Sequence, residues 1–230
     1  MRVGLISDVH GNAPALSAVL AEIEKQKVDY LLFAGDVVGY YPYVNEVITR
    51  LRSEQITSIL GNHDCYLLGK LEVTAERWNA YQLQYVNQVI EDENRAWLST
   101  LPPWQNIEID GLKFHLCHGS PWAVEEYIYP NSNSFERFAK LEVDVVVMAH
   151  THIPLMRNEG NVLLLNPGSC GQPRDYHPGA CYAILDTRER QTHFYRTTYD
   201  IPSLVKILET LRYPKGLINI LRRTKEGKFK

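Results

Sequence analysis

Residues 2–23 read RVGLISDVHGNAPALSAVLAEI, and this stretch decides the fold. Residues 3–6 form an apolar run of strand length. Asn12 followed by Pro14 opens a helix, because an Asn side chain can cap free N–H groups and proline fits the first turn. Leu16, Val19, Leu20 and Ile23 then repeat at helical spacing and make its buried face. Asp8, His10 and Gly11 stand between the strand and the helix. The pattern recurs downstream: residues 30–34 read as a strand, Val44, Val47, Ile48 and Leu51 as a helix face, and residues 56–60 as a third strand. Strand–helix–strand–helix–strand predicts a parallel α/β sheet.

Further along, Trp78, Tyr81, Tyr85 and Val89 fall on one helical stripe, and a short helix around Trp97 and Leu98 stops at Pro102-Pro103. The texture then turns to β. Residues 105–109 and 112–117 flank Asp110-Gly111, a two-residue hairpin signal. Residues 143–148 read as a buried strand, 155–158 and 161–165 as a hairpin around Glu159-Gly160, and 181–185 with 193–197 as a third pair. Asp200 before Pro202 caps a helix carrying Leu204, Val205, Leu208 and Leu211, and Tyr213-Pro214 breaks it before a last short helix near Leu217 and Leu221. With no linker or repeat, residues 1–230 are expected to form one domain of two sheets flanked by helices, with C-terminal helices at about 200–222 and a solvated basic tail at 222–230.

Composition excludes several classes of function. The chain has 230 residues, 45% hydrophobic and 22% charged, so it is globular rather than disordered. Its 24 Lys+Arg against 27 Asp+Glu leave −3, which argues against coating nucleic acid or membrane by bulk charge. No run approaches the roughly 18 apolar residues of a membrane span, and the N-terminal apolar run is too short for a signal segment. Cys65, Cys117, Cys170 and Cys181 are scattered without a C-x-x-C pair, so free thiols and a cytoplasmic location are expected.

The expected strands end in residues of metal-binding type: Asp8-Val9-His10, Gly35-Asp36, Gly61-Asn62-His63-Asp64, Cys117-His118-Gly119-Ser120 and Ala149-His150-Thr151-His152. Carboxyl ends of adjacent parallel strands open on one crevice. Strand alternation would put both side chains of D-x-H and of H-x-H on one side. Taken singly, each residue has an ordinary role as a cap, a turn or a core histidine; their joint arrangement favours a site. Carboxylate, imidazole and one amide suit Mn, Fe, Zn, Co or Ni better than Ca or Mg. Seven such groups exceed one tetrahedral ion and suffice for two ions that share a carboxylate.

The ordered set D-x-H-G-N, G-D, G-N-H-D, H-G-S-P and H-T-H, followed by Asn166-Pro167-Gly168-Ser169 and Gly171-Gln172-Pro173-Arg174-Asp175, resembles the calcineurin-like metallophosphoesterase superfamily, in its small prokaryotic branch. The resemblance implies an α/β fold, a four-layer αββα sandwich of two mixed sheets packed face to face with helices outside. It implies that Asp8, His10, Asp36 and His152 hold one metal and Asp36, Asn62, His118 and His150 the other, with Asp36 bridging. Two divalent transition-metal ions are expected, Mn first, with Fe, Zn, Ni or Co as alternatives. A hydroxide shared by the ions would attack phosphorus, with Asp36 and His63 catalytic and His63 serving the leaving oxygen. Asn12 and Arg174 are the candidate substrate contacts, Asn12 from a helix start and Arg174 as a bidentate phosphate clamp. Two dications against Asp8 and Asp36 would leave the crevice locally positive despite the overall −3.

The chain also departs from that pattern. The protein Ser/Thr phosphatase branch carries G-D-x-V-D-R-G, whereas Gly39 and Tyr40 stand here in place of its second acid and its arginine. Leu60 replaces the arginine before G-N-H, Ala149 replaces the glycine before H-T-H, and His63 is kept where some small phosphodiesterases have cysteine. The expected activity is hydrolysis of phosphodiesters or small organic phosphates, nucleotide derivatives included. A phosphomonoesterase or protein phosphatase of the same superfamily, or a catalytically silent binding module on the fold, are the alternatives. The expected partner is a small phosphorylated substrate, without membrane or nucleic acid; a homo-oligomer is left open. His115, His177 and His193 have no motif support, and Tyr40, Tyr41 and Trp122 could line a pocket or pack.

Overall fold

The hydrophobic alternation of the first strand sets two faces at once. β1 (Arg2–Ile6) sends Val3 and Leu5 to one side and Gly4 and Ile6 to the other. A computed structural model describes residues 1–222. After β1, Asn12 caps α1 (Ala13–Lys25), its side chain accepting from the Ala15 N–H at 3.2 Å. β2 (Tyr30–Phe33), α2 (Val44–Ser53) and β3 (Thr57–Ser58) follow, with β1, β2 and β3 parallel. β3 is shorter than the expected 56–60, because the chain leaves the sheet and Leu60 N–H donates to Pro102 O instead.

The middle of the chain is helical: α3 (Asn62–Leu67), α4 (Ala75–Ala80), α5 (Leu83–Val89) and α6 (Asp92–Thr100). The single helix expected over the stripe from Trp78 to Val89 is two helices. Gln82 takes a left-handed conformation at φ 59°, and the Tyr81 carbonyl accepts the Tyr40 N–H at 2.7 Å rather than continuing the ladder. Tyr81 is thereby turned towards the crevice.

β4 (Trp104–Ile109) and β5 (Leu112–Cys117) form the expected hairpin, with Asp110 and Gly111 both at positive φ. A 3-10 helix (Phe135–Lys140), β6 (Val145–Val147), β7 (Leu155–Glu159) and β8 (Val162–Asn166) complete the second half. β9 (Ala180–Asp186) and β10 (Gln191–Thr197) return to the first sheet. The two mixed sheets run β10-β9-β1-β2-β3 and β4-β5-β6-β8-β7.

The sheets pack face to face. Val3, Leu5, Leu32, Ala183 and Leu185 from one meet Phe114, Leu116, Val145, Val147 and Leu165 from the other in a wholly apolar layer. Burying each large side chain there contributes about 1.5–3 kcal/mol before entropy is counted. The outer face of the first sheet carries α1 and α2 through Leu16, Val19, Leu20, Val47, Ile48 and Leu51. Phe135 and Phe138 of the 3-10 helix cover Val146, Met148 and Leu164 on the second. These are the four layers of the expected sandwich. α7 (Ile201–Thr210), capped by Asp200, and α8 (Lys215–Leu221) pack Leu204, Val205, Leu208 and Leu217 on Tyr40 and Tyr41. The basic tail expected at 222–230 lies outside the described residues beyond Arg222.

Candidate metal centre

The candidate side chains arrive from just beyond the strand ends. β1 stops at Ile6, β2 at Phe33 and β6 at Val147, so Asp8, His10, Asp36, His150 and His152 all stand on loop backbone. Strand alternation therefore does not align D-x-H and H-x-H, as the sequence reading expected. Left-handed backbone does: φ is 51° at Asp8, 50° at His10, 62° at Asp36, 66° at His150 and 59° at His152. Such conformations cost about 1–3 kcal/mol each and persist only where the surroundings enforce them. His118 follows β5 directly, and Asn62 opens α3, a helix that the sequence reading took for the end of a strand.

All seven expected ligand residues are buried and converge. Asp8, His10, Asp36 and His152 place one potential ligand atom each within 4.8 Å of the others, and Asp36, His118 and His150 do the same. Asp36 Oδ2 lies 3.5 Å from His10 Nε2 and 3.3 Å from His118 Nε2, so its carboxylate stands between the groups. Asn62 Oδ1 lies 3.0 Å from His118 Nε2.

Hydrogen bonding on the far side of each ring fixes what faces inward. His10 Nδ1 bonds Val38 O at 2.9 Å, His118 Nδ1 bonds Ala34 O at 2.8 Å, and His152 Nδ1 bonds Gln172 O at 2.7 Å. With Nδ1 as donor, a neutral imidazole turns an Nε2 lone pair into the centre. His10 Nε2 and His152 Nε2 are 3.1 Å apart. Two lone pairs at that distance need a positive centre between them. Asp8 Oδ1 and His150 Nε2 are buried without a hydrogen-bond partner. The donor set thus fits divalent cations bound by nitrogen and oxygen.

The charges agree. Burial lowers His10 to about 4 and His150 to about 3, so both rings are neutral, as ligands must be. Burial raises Asp8 to about 7 despite the opposing pull of His118. For His118, burial would lower the value, but the Asp36 carboxylate and its hydrogen bond raise it to about 9. Burial would raise Asp36 too, yet the neighbouring His118 and His63 hold it well below the usual carboxylate range. Without a cation, protons occupy the place of one.

The supporting shell includes a residue to which the sequence reading gave no role. Asp64, at the end of G-N-H-D, accepts the N–H groups of Asp36, Val37, Val38 and Gly61 at 2.9–3.2 Å. Its carboxylate pins the turn that carries Asp36. Gly35 and Gly61 meet across this turn; a Cβ on Gly35, at φ +89°, would fall 2.6 Å from Gly61 N. The Asn166–Asp175 motif buttresses the other side: Ser169 Oγ donates to Asp8 O, and Gly171 N–H donates to the same carbonyl.

His63 borders both groups. Its backbone N–H donates to Asp36 Oδ1 at 2.9 Å, and its ring lies 4.2 Å from Tyr81 and 4.7 Å from His10 between centroids. Its Nδ1 is buried without a partner. A Cβ on Gly39 would run into that nitrogen, so the place of the missing acid is directly beside it and carries no side chain. Arg174 reaches the same rim: Nη2 donates to Tyr40 Oη at 3.1 Å and to Gln172 Oε1 at 2.9 Å. Its cation therefore stands beside Tyr40, the residue that replaces the family's clamping arginine.

Asn12 is the correction. Both of its amide protons are committed, one to Gly171 O at 2.9 Å and one to Tyr199 Oη at 3.0 Å, while its oxygen caps α1. No donor is left for a phosphate; Asn12 is a cap and a tether. Sequence reasoning missed Tyr81 and Tyr127, whose ring lies 3.9 Å from that of His150. Neither carries a motif, and only the fold brings them in.

A family model described as a calcineurin-like phosphoesterase superfamily domain matches residues 1–190. An uncharacterized protein of Methanocaldococcus jannaschii, MJ0912, is 32% identical over 94% of this chain and 95% of its own length. Phosphodiesterase YfcE of Escherichia coli is 28% identical over 81% of this chain and 88% of its own. Among solved structures, a metallophosphoesterase from Sphaerobacter thermophilus superposes with a TM-score of 0.83 at 29% identity, covering 96% of this chain and 98% of that one.

Proposed function

This chain belongs to the calcineurin-like phosphoesterase superfamily and is a metal-dependent phosphoester hydrolase, and from that premise we propose that it binds two divalent transition-metal ions and hydrolyses phosphodiesters. Asp8, His10, Asp36 and His152 would hold one ion, and Asp36, Asn62, His118 and His150 the other. The observation that carries this reading is Asp36, whose carboxylate lies 3.3–3.5 Å from a histidine nitrogen of each group. When bound, the ions supply charge that neutralises phosphate oxygens and acidifies a water.

The chain's own residues divide the remaining work. Asp64 holds the Asp36 turn rigid, so the bridging carboxylate reorganises little during reaction. The Nδ1 bonds of His10, His118 and His152 keep their rings aimed. His63, packed against Tyr81, offers a ring N–H to the leaving oxygen as charge develops there. Arg174 clamps a non-bridging phosphate oxygen, steadied by Gln172 and Tyr40. A protein Ser/Thr phosphatase is disfavoured, because Gly39 leaves His63 without the acid that the branch uses. The relatives named as phosphodiesterases favour the diester over the monoester.

The test is one assay with an elemental count. Protein purified without chelator and supplied with Mn should carry about two ions per chain, from the shared-carboxylate arrangement. It should hydrolyse bis(p-nitrophenyl) phosphate faster than p-nitrophenyl phosphate. Absence of bound metal together with no gain on adding Mn would overturn the reading; a preference for the monoester would move it to a phosphatase.

A further inference from the structure

The loop of residues 119–130 borders the centre, and the proposed reaction leaves its chemistry unused. It is held firmly. Ser120 Oγ accepts the N–H groups of Trp122 at 3.2 Å and Ala123 at 3.1 Å, and it donates to the Glu126 carboxylate. Glu126 in turn takes the Arg137 guanidinium, which lies 3.9 Å over the Trp122 ring. Ile128 is 2% exposed and pins the loop into the core beside Phe135 and Phe138.

Two rings project from either side of that pin. Tyr127 is 45% exposed and Tyr129 39% exposed. They lie almost parallel, 5° between planes, with centroids 5.6 Å apart. Tyr127 also packs on His150, at 3.9 Å and 30°. The rings of His150, Tyr127 and Tyr129 therefore form a row leading from a proposed metal ligand out to solvent. A pair of aromatic rings already stacked on a pinned loop has little freedom left to lose when a third flat group joins it.

We infer that Tyr127 and Tyr129 are a stacking platform for the base of a nucleotide, and that the ester cleaved at this centre belongs to a nucleoside phosphodiester. The inference rests on the phosphoesterase reading for its reaction, but the platform itself is a binding surface. A nucleoside phosphate joins a flat aromatic group to phosphorus through a sugar, and Tyr127 brings the exposed rings up to His150 at the centre. Two rings receive one base, and the chain's charge of −3 offers no track for a longer strand. A flat base also matches a parallel platform better than a flexible acyl chain does.

Equilibrium binding separates the platform from the chemistry. Mn-loaded protein is titrated with thymidine 5′-monophosphate and with 2-deoxyribose 5-phosphate, in which a hydroxyl stands in place of the base. The nucleotide should bind about tenfold more tightly, the effect of a single stacked base. Tyr129→Ala should bring the nucleotide down to the sugar phosphate, and Tyr129→Phe should keep the preference, because the ring rather than the hydroxyl carries it. Equal affinity of the two ligands in the wild type, or a preference that survives Tyr129→Ala, overturns the platform. Hydrolysis of bis(p-nitrophenyl) phosphate is read in parallel. Protein that prefers the nucleotide yet cleaves no ester would sink the phosphodiesterase reading and leave the platform standing.

Discussion

The two candidate ligand groups share Asp36 and differ in how they are built. In the first group, Asp8, His10, Asp36 and His152 all sit on left-handed backbone, and their side chains are closed off from solvent. In the second, Asn62 opens a helix and His118 directly follows β5, both with ordinary backbone, while His150 is left-handed at φ 66°. His150 ends that group against Tyr127, half-exposed at the mouth. At about 1–3 kcal/mol per left-handed residue, the first group stores the greater strain, and a cation bound there would offset more of it. The second group takes Asn62 from a helix start and His118 from a strand end, and Tyr127 marks its half-exposed side. On the proposed reading, the first group would be the anchor and the second, beside Tyr127, the working face.

The most severe way to break this comparison is Asp36→Asn, which strikes both groups. Turnover should fall to background, and bound metal should drop from about two ions per chain to fewer than one, while the far-UV circular dichroism is unchanged. Retention of one ion with wild-type turnover would show that the groups do not depend on a bridge. A milder change is Asp64→Asn, which replaces one of the two carboxylate oxygens that accept four backbone N–H groups with an NH2 donor, without touching a proposed ligand. Metal affinity or turnover should fall about 10–100-fold, the usual effect of losing such a support. A two-step metal titration should show both steps weakened, since Asp36 serves both. A loss confined to one step would assign Asp36 to that group alone.

Per unit change, the smallest expected effect sharpens the contrast by pH. Asp8 in the first group is raised to about 7 and His118 in the second to about 9. Both values lie above the ordinary ones, so each group holds a proton near neutrality that a cation must displace. Mn affinity should therefore rise with pH, by up to about tenfold per unit for each proton released, levelling near 7 for one step and near 9 for the other. Calorimetric titrations from pH 6 to 9 would read this, and an affinity independent of pH would show that neither proton is there to be displaced.

The candidate ligands were legible because their chemistry is carried by residue type. Asp8, His10, His150 and His152 are unusual in spacing and need no partner to be noticed. The elements around them were legible where one periodicity ruled, as in α1 and the β4–β5 hairpin. What stayed hidden was set by contacts distant in sequence. The Tyr40 N–H taking the Tyr81 carbonyl ends a helix that the stripe from Trp78 to Val89 would continue. The two amide bonds that occupy Asn12 come from Gly171 and Tyr199, far along the chain. In the sequence Asp64 is only the last residue of G-N-H-D, and the approach of the Asp36 turn makes it an anchor. Left-handed backbone at five sites has no composition signal, since aspartate and histidine tolerate it without requiring it.

The strand order of the first sheet has a consequence for how the protein is made. β1 lies between β2 and β9, so its second edge is paired only by residues 180–186. On a ribosome, Asp8 and His10 emerge early and wait while most of the chain is synthesised before that edge is closed. The turn that carries Asp36 waits longer, because Tyr40 and Tyr41 are covered by the final two helices. Assembly of the centre is thus a late event governed by long-range pairing, and such pairing is slow. Metal taken up by the nascent chain would meet scattered side chains; the finished pocket exists only once residues 180–186 and 201–221 have been made.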